Sequence, residues 1–497
     1  MALLVIAGGA LYATRLGEVP AYLIHDETQG ALQAHAIATT GRDLSGRLLP
    51  LYFTEPEFPP GRDPILIYVT ALGLQVLPFS EAGVRIPTAL IATLNVVLTF
   101  LVARRWFQST AMGLLTAVLL LFTPVHFIRG RLILSPLYTI PFILGWLWLL
   151  VRFDSAPTTR RLVGAGVTLG AGVYSYLAAV VMMPLYLLAT LAIGFRRLGL
   201  APALKAGLAF AVVLIPMLAW YVVHPERNTE IVSAYQLETT ARSPLARSVG
   251  LYWSFFDPSF LFVSGDASLI NSTRSTGLFP AAFALLIPIG LFGLLRSAQA
   301  VPLVIAAGLI TAPLVSVISG AVEMNRIMFA IPFGVLAASY GAHMMLRSHK
   351  TAARAAAIVL LLSVPWQFAL LYSEYFGDYR MASAPWLDGG VREAVRVTMA
   401  HADNTTTPVY ISNEIEWIHR TWRFYANADR KPAMIDRAVY TAEPPRDAAA
   451  GSLVLCPTGS ARCQPSALWR VVETATSLDG SRTFSILRRT AVVEAAQ

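Results

Sequence analysis

Val84-Arg-Ile-Pro-Thr-Ala-Leu-Ile-Ala-Thr-Leu-Asn-Val-Val-Leu-Thr-Phe-Leu-Val-Ala103 is apolar with a single charge at its edge, and Arg104-Arg105 follow it at once. A run of roughly 17–22 such residues has the length an α-helix needs to cross the hydrocarbon of a bilayer. Comparable windows recur near 109–127, 133–151, 203–223, 278–295, 300–319, 327–346 and 353–372. The stretch 162–195 is interrupted by Tyr174-Ser175-Tyr176 and reads as a pair of spans. Residues 1–15 add a shorter opening segment; it lacks the basic flank of a signal peptide, and no A-x-A site precedes a soluble stretch. The sequence thus predicts about eleven transmembrane helices.

Composition agrees. Hydrophobic residues make up 56% of the 497 and charged residues 13%, against about 25% charge in an average soluble domain. Too little polar surface is left to cover a water-soluble protein of this size, so the chain reads as a polytopic α-helical membrane protein.

The basic residues are nearly all arginine, with Lys205, Lys350 and Lys431 as the lysines. Arg104/Arg105, Arg152/Arg160/Arg161, Arg196/Arg197/Lys205, Arg296 and Arg347/Lys350/Arg354 fall at every second loop of the eleven-span scheme. The positive-inside rule places them on the cytoplasmic side, with the N-terminus inside. The net charge of +9 then reads as topology signal and contact with anionic lipid. Nucleic-acid binding would need a contiguous soluble basic face, and none is visible.

Three pieces remain outside the membrane: residues 16–83, residues 224–277, and the tail 373–497. The first holds Tyr22-Leu-Ile-His-Asp26-Glu27-Thr-Gln29, an adjacent acid pair at the bilayer surface, where membrane proteins use carboxylates for chemistry or ion handling. The plainer reading of Asp26 is a helix N-cap before Thr28-Gln29-Gly-Ala-Leu32. The tail alternates helical and strand patterns: helices over Val391–Ala402 and Glu414–Tyr425, strands over 408–412, 452–456, 469–473 and 483–488. It predicts a small extracytoplasmic α/β domain. Cys456 and Cys463, the two cysteines of the chain, lie there in an oxidising compartment under this topology. They read as a disulfide pair or two thiols, and no histidine partners suggest a metal site.

No P-loop, GxGxxG after a strand, HExxH or GxSxG occurs, so nucleotide hydrolysis, dinucleotide binding, zinc proteolysis and serine hydrolysis lack support. No internal repeat suggests a transporter built from two halves. Asn271 and Asn404 begin sequons that matter in a cell that glycosylates outside-facing loops.

The ordered set of motifs resembles the GT-C class of membrane glycosyltransferases, and within it the protein mannosyltransferase and aminoarabinose transferase group, family 39/83. It comprises Asp26-Glu27 after the first span, Gly41-Arg-Asp43, a Pro-rich turn into Tyr68, and Arg85-Ile-Pro-Thr opening the next span. Further along come Phe256-Asp257 to Gly265-Asp266, Asn325-Arg326 leading into Ile331-Pro332, Tyr375-Phe-Gly-Asp-Tyr379 and Gly389-Gly-Val-Arg-Glu393. The resemblance implies a GT-C fold and an inverting transfer of a sugar from a polyprenyl monophosphate donor to an acceptor hydroxyl at the extracytoplasmic face of the plasma (inner) membrane. The acceptor would be a glycan, lipid or protein. Neither cofactor nor metal is implied. One carboxylate accepts the acceptor proton while cations stabilise the departing phosphate.

By the same resemblance the catalytic carboxylate corresponds to Asp26. Glu27 would raise its pKa or hold the acceptor or an arginine. Arg62, Arg85, Arg129, Arg131 and Arg326 are the candidates for the phosphate. Arg129 and Arg131 sit in a short outside loop against the positive-inside rule, which favours anion binding over snorkelling to lipid phosphates; for Arg326 the plainer reading is a helix-end pair with Glu323. The aminoarabinose transferases carry a lysine where this chain has Asp63 and an aspartate where it has Ser135 before Pro136. The donor details of that subgroup therefore do not transfer, and Asp63 becomes a candidate second acid.

Two rivals stand beside this reading. Glu55 and Glu57 suit either a solvated acidic turn or a metal-assisted oligosaccharyltransferase with a pyrophosphate donor, although the Trp-Trp-Asp tail signature of that class is missing. A non-enzymatic carrier of lipid-linked sugars would need charges within several spans, and the spans are nearly charge-free.

Overall fold

The computed structural model describes residues 1–55, 58–225, 244–320, 322–324, 326–403 and 406–490. Glu57, Asn325, Asn404 and residues 226–243 of the second large loop lie outside the described residues, as do the side chains of residues 54–62, Glu55 and Arg62 among them. The chain divides into two compact units. The first comprises Met1–Thr14, Ser45–Thr70 and Arg85–Glu374; the second comprises Arg15–Leu44, Ala71–Val84 and the chain from Tyr375 onward.

The first unit is helical. Among the described residues six stretches are long and apolar enough to cross a membrane: Glu81–Trp106, Ser135–Ser155, Ala179–Leu198, Leu200–Val223, Ala300–Ile318 and Thr351–Phe376. Shorter apolar helices cover Ala2–Ala13, Pro64–Gly73, Thr110–Leu121, Phe283–Leu295 and Ala330–Leu346. The interruption predicted at Tyr174-Ser175-Tyr176 is a single 3₁₀ turn, Val173–Ser175, between helices Thr159–Gly172 and Ala179–Leu198. The window 109–127 is a broken element. Its helix ends at Leu121, and a new short helix, Pro124–Arg129, starts with proline in its first position, where the missing N–H costs nothing.

Glycines let these helices approach backbone to backbone, as tight packing in lipid requires. A Cβ on Gly290 would stand 1.9 Å from the Ala337 carbonyl oxygen, and one on Gly341 2.1 Å from that of Leu286, so helices Phe283–Leu295 and Ala330–Leu346 lock through both. Basic residues gather at shared helix ends. Arg105 reaches Ser155 at 3.1 Å, Arg161 donates to the Arg152 carbonyl at 2.8 Å, and Arg197 pairs with Asp154 at 3.1 Å. Three of the clusters on which the orientation rests therefore converge. Between Ser45 and Thr70 a hairpin of β1 (Phe53–Glu55) and β2 (Phe58–Arg62) precedes the helix Pro64–Gly73.

The second unit is built on a five-stranded mixed sheet in the order β4-β3-β5-β7-β6, with β3 (Val409–Ser412), β4 (Ala438–Thr441), β5 (Leu453–Pro457), β6 (Trp469–Thr476) and β7 (Thr483–Arg489). β3 pairs in parallel with β4 and β5; β7 pairs antiparallel with β5 and β6. Helix Val391–Ala402 covers the sheet, and helix Ile418–Ala428, whose Trp422, Phe424 and Tyr425 are buried, packs against that helix. The second helix starts four residues later than its pattern predicts, because Ser412 to Trp417 forms a turn in which Trp417 takes a positive φ of 56°. A disulfide joins Cys456 to Cys463 at the end of β5.

The helix His25–Thr40 belongs to this same unit. It lies against Ile418–Ala428; His35 stacks on Phe79 at 4.2 Å between centroids, and Phe79 packs at a tilt on Phe424 at 4.7 Å. Gly41 closes it with a φ of 68° and donates to the Ile37 carbonyl at 2.9 Å, the left-handed cap that explains the glycine of Gly41-Arg-Asp43.

Candidate active site

The acid pair sits in the first turn of His25–Thr40, but neither acid is the N-cap. Ile24 is, and Asp26 lies two positions inside the helix, so the capping reading of Asp26 is corrected. Glu27 does the capping work: its Oε2 accepts the Ile24 backbone N–H at 3.3 Å. That N–H would otherwise be one of the unsatisfied donors at a helix start. Glu27 is fully buried, whereas the Asp26 side chain keeps 38% of its surface. Two adjacent carboxylates thus stand in opposite environments, one spent on the backbone and one reachable. Both favour the positive end of the helix dipole.

Around Asp26 the second unit supplies a set of groups that the sequence did not reveal. His25 Nε2 stands 3.8 Å from Asp26 Oδ1. On the other side of the ring, His25 Nδ1 is 3.5 Å from Asp388 Oδ2, and the same carboxylate oxygen accepts the His25 backbone N–H at 2.7 Å. The ring stacks on Trp417 at 5.2 Å, with planes 17° apart, and the buried Arg420 guanidinium lies 4.2 Å from the centre of that indole. Burial alone would lower the His25 pKa, but the Asp388 hydrogen bond and the Asp26 and Asp388 charges outweigh it and the Arg420 charge, leaving it raised.

Asp388 is presented by a tight turn, itself at φ 54° and ψ 41°. Gly389 follows with no room for a Cβ, which would lie 2.5 Å from the Ala384 carbonyl oxygen. Gly390 then takes φ 83° as N-cap of Val391–Ala402. The Gly389-Gly-Val-Arg-Glu393 motif is therefore the support of Asp388. Its Arg392 donates to Ala21 O at 2.9 Å, pairs with Glu81 at 3.1 Å and Glu393 at 2.8 Å, and lies over Tyr22. The Tyr425 hydroxyl donates to Glu81 at 2.9 Å.

The donor-side candidates Arg62, Asp63, Arg129, Arg131 and Arg326 all belong to the first unit. Arg131 is fully buried and donates to the carbonyls of Leu11, Tyr12 and Thr14 at 3.4, 2.9 and 2.6 Å, closing the C-terminus of helix Ala2–Ala13. Arg129 donates to Asn271 Oδ1 at 2.7 Å; Asn271 in turn donates to Asp266 Oδ2 at 3.0 Å. The same Asp266 oxygen accepts the Met324 N–H at 2.9 Å, and Asp266 Oδ1 accepts that of Ser268 at 2.8 Å. Gly265 and Asp266 of the second-loop motif thus build a buried turn, and the Asn271 side chain is consumed inside it. Arg326 makes the helix-end contact with Glu323 at 3.0 Å. Asp63 lies near Tyr52, whose hydroxyl burial and the charges of Tyr221 and Asp63 hold raised. Among the described residues no group of three or more His, Cys, Asp or Glu is gathered as a metal site.

The sequence profile of the dolichyl-phosphate-mannose-protein mannosyltransferase family matches residues 59–220, about a third of the chain. No curated protein matches the whole sequence significantly. In structure the chain is similar to ArnT from Cupriavidus metallidurans, with a TM-score of 0.58 at 15% identity, over 98% of this chain and 96% of that one. It is also similar to the Archaeoglobus fulgidus oligosaccharyltransferase, with a TM-score of 0.47 at 14% identity, over 88% of this chain and 61% of that one. The resemblance to GT-C class membrane glycosyltransferases therefore holds both in sequence and in the ArnT-like fold.

Proposed function

We propose that the chain transfers a sugar, with inversion, from a polyprenyl monophosphate donor to a hydroxyl of a glycan, lipid or protein acceptor, without a metal ion. Asp26 is the base. As the acceptor oxygen bonds to the anomeric carbon, the bond from that carbon to the phosphate oxygen breaks; Asp26 takes the acceptor proton and polyprenyl phosphate leaves. The observation that carries this is the pairing of an accessible Asp26 with a buried, backbone-bound Glu27. Only the first is reachable by an acceptor hydroxyl. Glu27 serves by fixing the turn that presents it. By the resemblance, the cationic candidates for the leaving phosphate are Arg62, Arg129, Arg131 and Arg326, and Asp63 is a candidate second acid.

The reading includes eleven spans with residues 16–83, 224–277 and 373–497 on the extracytoplasmic side. Membership of residues 15–44, 71–84 and the tail in one compact unit supports it. Segments packed in one unit share a side of the bilayer, which requires an even number of crossings between residues 84 and 375; the eleven-span scheme supplies ten.

The test is transfer of radiolabelled sugar from a panel of polyprenyl phosphate sugars by purified protein, with and without EDTA. General-base catalysis contributes about 10²–10⁴-fold, so Asp26→Asn should lose at least that much turnover while keeping donor binding, and EDTA should change nothing. Retained turnover in Asp26→Asn removes Asp26 from the mechanism. Turnover lost on chelation refutes the metal-independent step.

A further inference from the structure

We propose that His25 is a positioning residue for the transfer reaction: held by Asp388 and Trp417, its ring orients the Asp26 carboxylate for the acceptor. The inference rests on the reading of Asp26 as the base.

Three independent contacts restrain the ring. Asp388 Oδ2 accepts the backbone N–H of His25 at 2.7 Å and stands 3.5 Å from its Nδ1, so the residue is gripped through main chain and side chain by one oxygen. Trp417 lies nearly parallel to the ring and covers one of its faces. Nε2 is left 3.8 Å from Asp26 Oδ1, an ion-pair distance. Both Asp388 and Trp417 sit at positive φ, 54° and 56°, a conformation that non-glycine residues adopt at a cost the surrounding structure must offset. Two such turns converge on one ring beside the accessible acid. A helix start needs neither, since Glu27 already caps it.

A carboxylate–imidazole–carboxylate line fixes the ring and favours its protonated form, as second carboxylates do for histidines elsewhere. The charged groups facing His25 are Asp26 on its own helix, Asp388 on the turn before Val391–Ala402, and Arg420 on Ile418–Ala428. The two acids favour the cation and Arg420 opposes it. A protonated ring at this distance favours the charged form of the neighbouring carboxylate.

The experiment combines two readouts on the full-length detergent-solubilised protein. The first is the pH profile of sugar transfer for wild type, His25→Gln and Asp388→Asn. The acid limb should move upward in His25→Gln, and in the same direction in Asp388→Asn. The second is titration of ¹⁵N-histidine-labelled protein by NMR, with the His25 resonance identified by its loss in His25→Gln; it should titrate above the ordinary histidine range and fall in both Asp388→Asn and Asp26→Asn. Thermal melts establish that each variant is folded, and Asp388→Asn keeps the test open if His25→Gln is not. An unmoved acid limb, or a His25 resonance indifferent to Asp388→Asn and Asp26→Asn, overturns the inference while Asp26→Asn remains inactive. Turnover that persists in Asp26→Asn overturns the base reading and takes the inference with it.

Discussion

The Asp388 carboxylate accepts the backbone N–H of His25 at 2.7 Å, joining residues 363 apart in sequence. A hydrogen bond to a charged partner contributes about 1.5–3 kcal/mol, and this one ties the first turn of His25–Thr40 to the turn before Val391–Ala402. Asp388→Ala should therefore raise amide hydrogen exchange over residues 25–28 by about tenfold or more, with the sheet unaffected. The sign of the pH dependence follows from the raised His25 pKa. A group whose pKa is higher folded than unfolded stabilises fully below its unfolded value, about 6.5 for histidine. Protection of the first turn should thus be greatest below that pH and decline as pH rises through the folded value. Protection that is flat from mildly acid to mildly alkaline pH, or that increases, would show that the ion pairs around His25 contribute nothing to the hold.

Arg392 and Glu81 form a second fastening in the same unit, 3.1 Å apart with side chains 17% and 9% exposed. Burial opposes the Arg392 charge, and Glu81 and Glu393 more than restore it. Breaking a buried pair from one side strands the other charge and costs about 3–5 kcal/mol, whereas removing both partners costs far less. Arg392→Gln and Glu81→Gln should each lower the melting temperature of the purified protein, and the double variant should recover part of the loss. A double variant as unstable as the sum of the two would mean that the pair is not coupled.

Arg131 is a phosphate candidate because two arginines in a short outside loop run against the positive-inside rule. In the structure its guanidinium spans three carbonyls at the end of Ala2–Ala13, where a cation also opposes the negative end of the helix dipole. Arg131→Gln should accordingly reduce folded yield and melting temperature, with little change in donor KM for the protein that folds. A donor KM raised tenfold at unchanged stability would return Arg131 to the phosphate.

The helical part of this fold is legible because apolar runs of membrane-spanning length admit few alternatives, and even the 3₁₀ break at Val173–Ser175 shows as Tyr174-Ser175-Tyr176. Breaks made by a single proline are not, which is why 109–127 reads as one element and folds as two. In the tail, β4 escapes the period-2 reading because Ala438–Thr441 is a short edge strand with both faces partly exposed. Asp26-Glu27 is legible as an acid pair, but the division of labour between them is not: which carboxylate is buried depends on where the helix starts, and Ile24 carries no capping signal. Asp388 has a signal in retrospect, an acid directly before Gly389-Gly390. What it holds cannot be read, since its partner is a backbone N–H hundreds of residues away.

Asn271 shows how a local motif loses to packing. Asn271-Ser272-Thr273 is a sequon by pattern, yet the side chain is 5% exposed, accepts from Arg129 and donates to Asp266. A glycan on its Nδ2 would have to fit inside a buried turn, where Asp266 also accepts the Met324 and Ser268 N–H groups. Expressed in a glycosylating host, the protein should carry no glycan at Asn271 by peptide mass spectrometry. Asn271→Ala should still be harmful, because it leaves Arg129 and Asp266 with fewer partners in a buried turn, at a cost of about 1–3 kcal/mol. Asn271→Asp tests the geometry further: a carboxylate still accepts from Arg129 but repels Asp266, so it should destabilise as well. Occupancy of the sequon with unchanged activity would place Asn271 outside the turn and break the chain from Arg129 to Asp266.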